Sequence, residues 1–198
     1  MFDSRIQDLK KKIKQEKLDA VLISSVSNII YFTGFDGFFK EERDGYLLVT
    51  QDKAFVLTHS IYSTTLKSLL KEFEVIEISR RDPSAKVIAR LLKKGSAKLG
   101  IEENDLKVIE YKSLEKEIKN LQSFSLAQRI IKTEQEINQI KKACSMGDWA
   151  FEKIIKEIKE GIREKELAFK LEYLIKSKGA DLSFKTIIWR INSYFYIM

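Results

Sequence analysis

Short apolar runs alternate with amphipathic segments along the first two thirds of this chain, and this alternation limits the folds that it can adopt. The short apolar run 19–23 is typical of a buried strand. An amphipathic helix precedes it, with apolar residues at near-helical spacing: Ile6, Leu9, Ile13 and Leu18. Such alternation predicts an α/β domain with helices on a layered sheet.

Further segments continue the pattern. Serine and asparagine residues at 24–28 break the first run, and residues 29–32 lead into a glycine-containing loop at 33–37. Residues 45–50 and 54–58 predict a β-hairpin around a polar turn. The other elements expected here are helices at about 62–73, 83–95 and 112–120, and strands at 75–78, 98–102 and 123–127.

Start and stop signals mark several helix ends. An acidic residue precedes Pro83, which is expected at the first helical position, and Gly95 is expected to end that helix. A capping box at 133–136 opens a long helix that Gly161 ends. Its apolar face consists of Ile137, Ile140, Cys144, Phe151, Ile154 and Ile158. Cys144 is therefore expected to be a buried, inert thiol.

From Thr133 onward the alternation of strands and helices gives way to a different pattern. Two successive helices, the second at about 164–178, lead into a strand that begins near 184–189. A second domain therefore starts near Arg129, which predicts one domain at 1–128 and the incomplete start of another at 129–198.

Charge, cysteine usage and the lack of long apolar runs argue against several classes of protein. The net charge is +7, but lysines mix with glutamates on helical segments such as 10–17, which is typical of a solvated face and not of a specific nucleic-acid site. Cys144 is the only cysteine, so no internal disulfide forms and a reducing compartment is expected. The N-terminus lacks the apolar run of a signal peptide, and no stretch is long enough to span a bilayer. We expect a cytoplasmic protein without a membrane partner.

Six ordered stretches match the pattern of one known family. They are 19–23 (DAVLI), 28–35 (NIIYFTGF), 57–62 (LTHSIY), 100–102 (GIE), 129–137 (RIIKTEQEI) and a set between Gly161 and Ile187 that includes Glu164, Glu166, Ala168, Leu171, Glu172, Gly179, Ala180, Ser183, Phe184 and Thr186. On these residues the chain, from Arg5 to about Ile188, resembles the aminopeptidase P and prolidase family of proline-specific metallopeptidases.

The resemblance implies both a fold and an activity. It implies a creatinase-type N-terminal domain with a mixed sheet flanked by helices, then two helices and a strand that open a truncated pita-bread domain. Full-length members hydrolyse the bond before proline with two divalent metal ions (Mn, Co or Zn), held by two Asp, one His and two Glu. The N-terminal domain shapes substrate access and contacts between subunits, so a homo-oligomer is expected.

Two departures from the family pattern change what this chain can do. His59 and Ile61 stand where the family has Asp and Arg, and the match stops at Trp189. All five metal ligands of the family pattern fall beyond residue 188. The resemblance therefore assigns no catalytic residue, no metal ligand and no cofactor to this chain, and it is expected to be inactive alone.

Four residues are candidates for the substrate cleft: Asn28, Tyr31, Gly34 and Tyr62. Structural roles in turns explain the first three about as well. His59, the only histidine, has no spaced carboxylates beside it, and with Ser60 it forms no triad because adjacent residues of an extended segment point to opposite faces.

The C-terminal tail leaves the origin and role of the chain open. Residues 194–198 are aromatic, uncharged and free of proline, which is typical of an aggregation-prone strand. We interpret the change at Trp189 as a frameshift near that codon, with a mis-assigned coding region or a fragment as alternatives. A non-catalytic protein-binding module of the creatinase/pita-bread type is the alternative function, and nucleic-acid binding rests on net charge alone.

Overall fold

A computed structural model describes residues 2–39, 42–93, 96–191 and 194–197, with side chains up to residue 188. The chain divides into two compact units, Met1–Arg129 and Ile130–Met198, called unit 1 and unit 2 below. No helix within the described ranges is both long and apolar enough to cross a membrane.

Unit 1 is an α/β domain in which helices and strands alternate. Its helices are α1 (Phe2–Gln15), α2 (Val26–Thr33), α3 (Ser60–Leu69), α4 (Ser84–Leu92) and α5 (Val108–Glu117). Its strands are β1 (Ala20–Ile23), β2 (Gly45–Thr50), β3 (Ala54–Thr58), β4 (Glu74–Glu77), β5 (Lys98–Ile101) and β6 (Asn120–Ser123). The predicted α/β class with a mixed sheet flanked by helices is confirmed.

The six strands form one mixed sheet in the order β4-β3-β2-β1-β5-β6. The hairpin β2–β3 and the pair β1–β2 are antiparallel, whereas β1–β5, β5–β6 and β3–β4 are parallel. In the central strand, Val21 lies opposite Val49 of β2 and Gly100 of β5. β1 therefore pairs antiparallel with β2 on one side and parallel with β5 on the other.

Both faces of the sheet are buried because successive strand residues point to opposite sides. On one face, strand residues such as Val21 and Ile23 pack with apolar residues of α1, α2 and α3. On the other face, Leu22 and Leu48 pack with apolar residues of α4 and α5. This arrangement explains the almost wholly apolar strand β1, whose four residues are all buried.

Unit 2 has a smaller core. It consists of α6 (Glu134–Ile154), a 3₁₀ turn at Ile155–Glu157, α7 (Glu164–Ser177) and an antiparallel pair of strands, β7 (Ile188–Ile191) and β8 (Tyr194–Ile197). The predicted capping box is present, since the Glu136 amide donates to Thr133 Oγ1 at 3.3 Å and the Thr133 amide donates to Glu136 Oε2 at 2.7 Å. The buried core residues are Ala150, Ile154, Leu167 and Leu171.

Several predicted elements differ from the observed ones. Residues 26–33 form α2, where the sequence predicted an interruption and a loop. The last strand of the sheet is Asn120–Ser123 and not 123–127, because Phe124 enters the core and is 3% exposed. Pro83 is the N-cap of α4 and not its first helical residue. Gly95, the predicted end of that helix, lies outside the described residues, as do Met198 and residues 192–193 of the tail.

The prediction that Cys144 is buried is wrong, because its thiol is exposed. The last turns of α6 pack on α7 through Ala150 and Ile154, whereas most of the preceding turns are exposed. α6 is amphipathic as predicted. Among the described residues of unit 2, however, packing contacts bury only Ala150 and Ile154 of α6 and leave Ile140, Cys144 and Phe151 exposed.

Candidate functional site

Several buried polar residues of unit 1 lie at one edge of the sheet, where strands end or begin. The carboxyl ends of the parallel strands β1 and β5 meet at this edge, where they are followed by Ser24 and Glu102. The antiparallel strand β2 begins at the same edge, directly after Asp44. In open α/β sheets, the carboxyl ends of strands are the usual location of ligand sites.

Glu102 lies at the centre of the first polar network, and its side chain is 7% exposed. One carboxylate oxygen, Oε2, accepts hydrogen bonds from the Ser24 amide at 2.6 Å and the Ser25 amide at 2.8 Å. The other, Oε1, accepts from Nδ2 of Asn28. The carboxylate thereby satisfies the backbone between β1 and α2, and it fixes the start of α2 to the end of β5.

The network continues to the end of unit 1. Oδ1 of Asn28 accepts a hydrogen bond from Nη1 of Arg129 at 2.9 Å. One helical turn further along α2, the Tyr31 hydroxyl donates to the Gln128 carbonyl at 3.4 Å. Asn28 and Tyr31 thus lie on the face of α2 that holds residues 128–129, where unit 1 ends.

Arg5 of α1 supports this face from the other side of Tyr31. Its guanidinium carbon lies 4.1 Å from the centroid of the Tyr31 ring, and Nη1 donates to the Tyr31 carbonyl at 2.5 Å. A cation over an aromatic face is attracted by the ring electrons. The Tyr31 ring is therefore held between α1 and the segment at 128–129.

A second network surrounds Arg43, in the segment that leads into β2. Nε donates to Glu110 Oε1 at 2.8 Å, Nη2 donates to the Asp105 carbonyl at 3.0 Å, and Nη1 donates to the Ser24 carbonyl. Nη1 also lies 2.8 Å from the Asp105 carboxylate. Burial alone would lower the pKa of Arg43, but Glu110 and Asp105 outweigh that effect and raise it.

The Tyr46 hydroxyl completes the second network by donating to Glu110 Oε1 at 2.8 Å. Burial raises the pKa of Tyr46 well above its usual range, and the neighbouring Glu110 carboxylate raises it further. The phenol therefore stays protonated in the folded protein at any physiological pH. Glu110 is thus shared by the Arg43 guanidinium and the Tyr46 hydroxyl, both of which lie far from it in the sequence.

Asp44 forms a third, smaller cluster beside the same edge. Its Oδ2 accepts hydrogen bonds from the Tyr62 hydroxyl at 3.0 Å and the Phe39 amide at 3.1 Å. The Asp44 carbonyl accepts from the Thr58 hydroxyl at 2.8 Å. Burial, together with the Asp44 carboxylate, raises the pKa of Tyr62. Tyr62 thus anchors the segment before β2.

The four candidate cleft residues occupy three different places. Asn28 and Tyr31 come together on α2 and contact residues 128–129. Gly34 is the C-cap of α2, with a φ of 75° that favours glycine, and its amide donates to the Ile30 carbonyl. Tyr62 bonds to Asp44 and shares no hydrogen bond with the other three among those described. No structural observation tests a role in substrate binding for any of them.

The sequence reasoning missed Glu102 and Arg43 as the centres of these networks. The available signal was the acidic residue directly after the apolar strand β5, at the edge where parallel strands end. Arg43 gave no such signal, because it lies in a run of charged residues, 41–44, of which most would be expected in solvent.

The structure also locates the only histidine. His59 is exposed and precedes α3 as its N-cap residue, without a side-chain capping hydrogen bond. Across the described ranges, no three His, Cys, Asp or Glu side chains are grouped so that they could hold a metal ion. The described side chains therefore do not fit a metal centre.

The order of structural units agrees with two family models. Residues 5–134 match the creatinase/prolidase N-terminal domain, and residues 138–192 match the metallopeptidase family M24. This chain belongs to the creatinase/prolidase family. It is 33% identical, over 189 residues, to an Xaa-Pro dipeptidase of Pyrococcus furiosus, an alignment that covers 93% of this chain and 51% of that protein. The chain thus spans about half the length of the curated relatives it matches.

Solved structures show the same relationship. An Xaa-Pro dipeptidase from Bacillus anthracis superposes with a TM-score of 0.81 at 25% identity, covering 95% of this chain and 53% of that one. The N-terminal domain of a putative metallopeptidase from Corynebacterium diphtheriae matches with a TM-score of 0.54 at 21% identity, over 64% of this chain and 98% of that one. At this identity the second likeness shows the fold alone. The match covers almost all of that solved chain. The chain is thus the N-terminal part of an Xaa-Pro peptidase-like protein.

Proposed function

We propose that this chain supplies the N-terminal half of a metal-dependent peptidase that cleaves Xaa-Pro peptides, and that it does not hydrolyse them alone. The observation that carries the proposal is the succession of the two family matches along one chain, together with 33% identity to an Xaa-Pro dipeptidase over 93% of its length. The family matches and the identity both support a role shared with that dipeptidase. The alignment covers 51% of its length, so the proposal assigns only half of such a protein to this chain.

The side chains of the described residues support the proposed inactivity of the isolated chain. A metallopeptidase holds its ions with carboxylates and imidazole, and the described residues bring no such set together. In this proposal the ions are bound by the remaining half of the catalytic domain. Unit 1 contributes shape: the face of α2 that carries Asn28 and Tyr31 borders the path of the substrate.

The Glu102 network suits such a positioning role. The buried carboxylate holds Asn28, which in turn holds Arg129, so the border of the cleft is fixed to the sheet by charge-assisted hydrogen bonds. Contacts between copies of the chain are part of the same proposal. Apolar side chains on the surface of unit 1, such as Val108 and Ile109 of α5, are available for them.

The proposal is tested with a chimera that joins this chain, through Ile188, to the C-terminal half of the Pyrococcus furiosus Xaa-Pro dipeptidase. With manganese or cobalt added, the chimera is expected to cleave an Xaa-Pro dipeptide, whereas the isolated chain shows no turnover above a metal-only control. Turnover by the isolated chain, or a folded chimera that holds metal and cleaves no Xaa-Pro substrate, would contradict the proposal.

The role of α2 is tested in the active chimera. Replacing Tyr31 with Phe removes only the hydroxyl that bonds to Gln128. Because Tyr31 borders the cleft in this proposal, the substitution is expected to raise KM several-fold while the metal content stays constant. Tyr111→Phe is the matched control, because Tyr111 lies on the surface of α5. Equal KM values for both variants would remove Tyr31 from the proposed cleft.

A further inference from the structure

Unit 1 contains a pocket between the first turn of α4 and one face of α5. Its volume is about 370 Å³, which lies within the range of small-molecule sites. The floor is apolar and buried, and four elements contribute to it: β1 with Leu22, β2 with the Tyr46 ring, α4 with Ala85 and α5 with Leu114. We call this space the α4–α5 pocket. It lies on the opposite face of the sheet from α2, because its floor belongs to the core beneath α4 and α5.

Small side chains leave the α4–α5 pocket open. Ser84 and Ala85 line it from α4, and Ser113 lines it from α5. Where two helices lie side by side on a core, larger side chains normally fill the gap, since protein interiors contain few voids larger than a water molecule. The Ser113 hydroxyl does not bridge the gap, because it donates to the Ile109 carbonyl of its own helix at 2.8 Å. The arrangement indicates a space that another molecule occupies.

The polar groups beside the floor are already satisfied within the chain. The Tyr46 hydroxyl donates to Glu110 Oε1 at 2.8 Å, and Arg43 Nε donates to the same oxygen at 2.8 Å. Glu110 Oε2 accepts from the Lys107 amide at 2.7 Å. Because Arg43 balances the charge of Glu110, no ligand charge is required at this depth. The floor therefore suits the apolar part of a ligand.

Charged side chains of both signs surround the opening of the α4–α5 pocket. They are Lys86 of α4 and Lys116 and Glu117 of α5, all of them exposed. Over the part of the chain that the structure describes, neither Lys116 nor Glu117 forms an ion pair. Two ammonium groups are partners for a carboxylate, and one carboxylate is a partner for an ammonium group. The pocket is thus complementary to an apolar body that carries both charges at one end.

We propose that the α4–α5 pocket binds a free α-amino acid with an apolar side chain, such as leucine. The ligand side chain lies on the apolar floor. Its carboxylate contacts Lys86 and Lys116, and its ammonium group contacts Glu117. The inference goes beyond the proposed function and does not rest on it, since the pocket and α2 lie on opposite faces of the sheet.

Isothermal titration calorimetry of the chain with L-leucine tests this assignment. One molecule per chain is expected to bind with a dissociation constant of about 1 mM or below, an affinity that a ligand of this size can reach. Isocaproate lacks the ammonium group of leucine and isoamylamine lacks its carboxylate, so each is expected to bind at least about 10-fold more weakly. Absence of leucine binding at about 10 mM would overturn the proposal. Equal binding of isocaproate would assign the pocket to carboxylic acids in general and would overturn it too.

Ser113→Phe fills the pocket from an exposed position of α5, so leucine is expected to bind at least about 10-fold more weakly. Ser68→Phe is the matched control. Ser68 is an exposed serine of α3 whose hydroxyl also donates to a carbonyl of its own helix, that of Thr65, at 2.8 Å. This control is expected to bind leucine like the parent chain. Unchanged binding by a folded Ser113→Phe variant would contradict the proposal.

Two exposed rim variants keep the test decisive even if Ser113→Phe does not fold. Lys116→Ala is expected to weaken binding of leucine and of isocaproate, whereas Glu117→Gln is expected to weaken binding of leucine and to leave isocaproate unchanged. Lys112→Ala and Glu115→Gln are the controls, because both residues are exposed on α5 and neither lines the pocket. Leucine binding that responds to the control substitutions as much as to the rim substitutions would refute a role of the rim in recognition.

Discussion

Unit 1 and unit 2 bury their apolar side chains to different extents. Unit 1 covers both faces of a six-stranded sheet with its own helices, and it holds the polar edge of that sheet with buried charged networks. Unit 2 buries a core of four residues and leaves apolar side chains of α6, such as Ile140 and Phe151, exposed. The comparison teaches that one chain can contain a domain with an extensive core on both faces of a sheet and a second unit whose core is small.

The largest expected effect on the free energy of unfolding comes from substitutions that each disrupt the core of one unit. Leu57 is fully buried in β3, so Leu57→Ala is expected to lower the free energy of unfolding of unit 1 by about 2–5 kcal/mol. Leu167→Ala in the small core of unit 2 is expected to lower only the stability of unit 2, by about 2 kcal/mol. Urea unfolding, followed by far-UV circular dichroism, is expected to show two transitions, each moved by one variant.

Leu69→Ala is the control for the Leu57 variant, since Leu69 is 63% exposed. Its effect on either transition is expected to stay within about 0.5 kcal/mol. A single transition moved equally by Leu57→Ala and Leu167→Ala would show that the two units unfold together, and the comparison would fail.

The next effect concerns the polar edge of unit 1. Glu102→Ala leaves two backbone amides and the Asn28 side chain without their buried acceptor, so the stability of unit 1 is expected to fall by about 3 kcal/mol. The neighbouring Glu103 is exposed, and Glu103→Ala is expected to change stability by less than about 0.5 kcal/mol. Equal losses for the two variants would show that the network contributes no specific stability.

The smallest expected effect is the loss of stability of unit 1 at alkaline pH. The pKa of Tyr46 is raised in the folded protein, whereas that of the unfolded chain is about 10. Above pH 10 the unfolded chain therefore releases this proton first, and stability falls as the pH rises, with a slope of at most ~1.4 kcal/mol per pH unit from this group. The stabilising contribution is fully present below pH 10.

Tyr46→Phe removes that titration. The variant is expected to lose about 1 kcal/mol at pH 8, because the hydrogen bond to Glu110 is gone, and to lose less further stability than the parent chain between pH 8 and pH 10.5. Urea unfolding at both pH values measures the difference. A parallel decline in the two proteins would show that Tyr46 does not release its proton preferentially on unfolding.

Local patterns in the sequence predicted much of the fold. The hairpin bounds 45–50 and 54–58 agree with β2 and β3, because each strand is an uninterrupted apolar run beside a polar turn. The capping box at Thr133 identified the start of α6. α2 was missed because its serine and asparagine residues are typical of turns, whereas packing of Ile29 and Phe32 stabilises the helix.

The candidate site was less predictable, because its contacts join residues that are far apart in the chain. Ser24 and Glu102 are separated by 78 positions, and only the parallel pairing of β1 with β5 brings them together. The exposure of Cys144 could not be predicted either. A helical pattern indicates which side of α6 is apolar, but it does not indicate whether the same chain supplies the cover.

The position of β1 between β2 and β5 also governs how unit 1 forms during synthesis. β2 follows β1 closely and can pair with it at once, whereas β5 begins only at Lys98. At translation rates of about 5–20 residues per second, the interval between the ends of β2 and β5 lasts roughly 3–10 seconds. During that interval the border of β1 that later pairs with β5 lacks its partner strand, and unpaired strand borders of this kind favour aggregation.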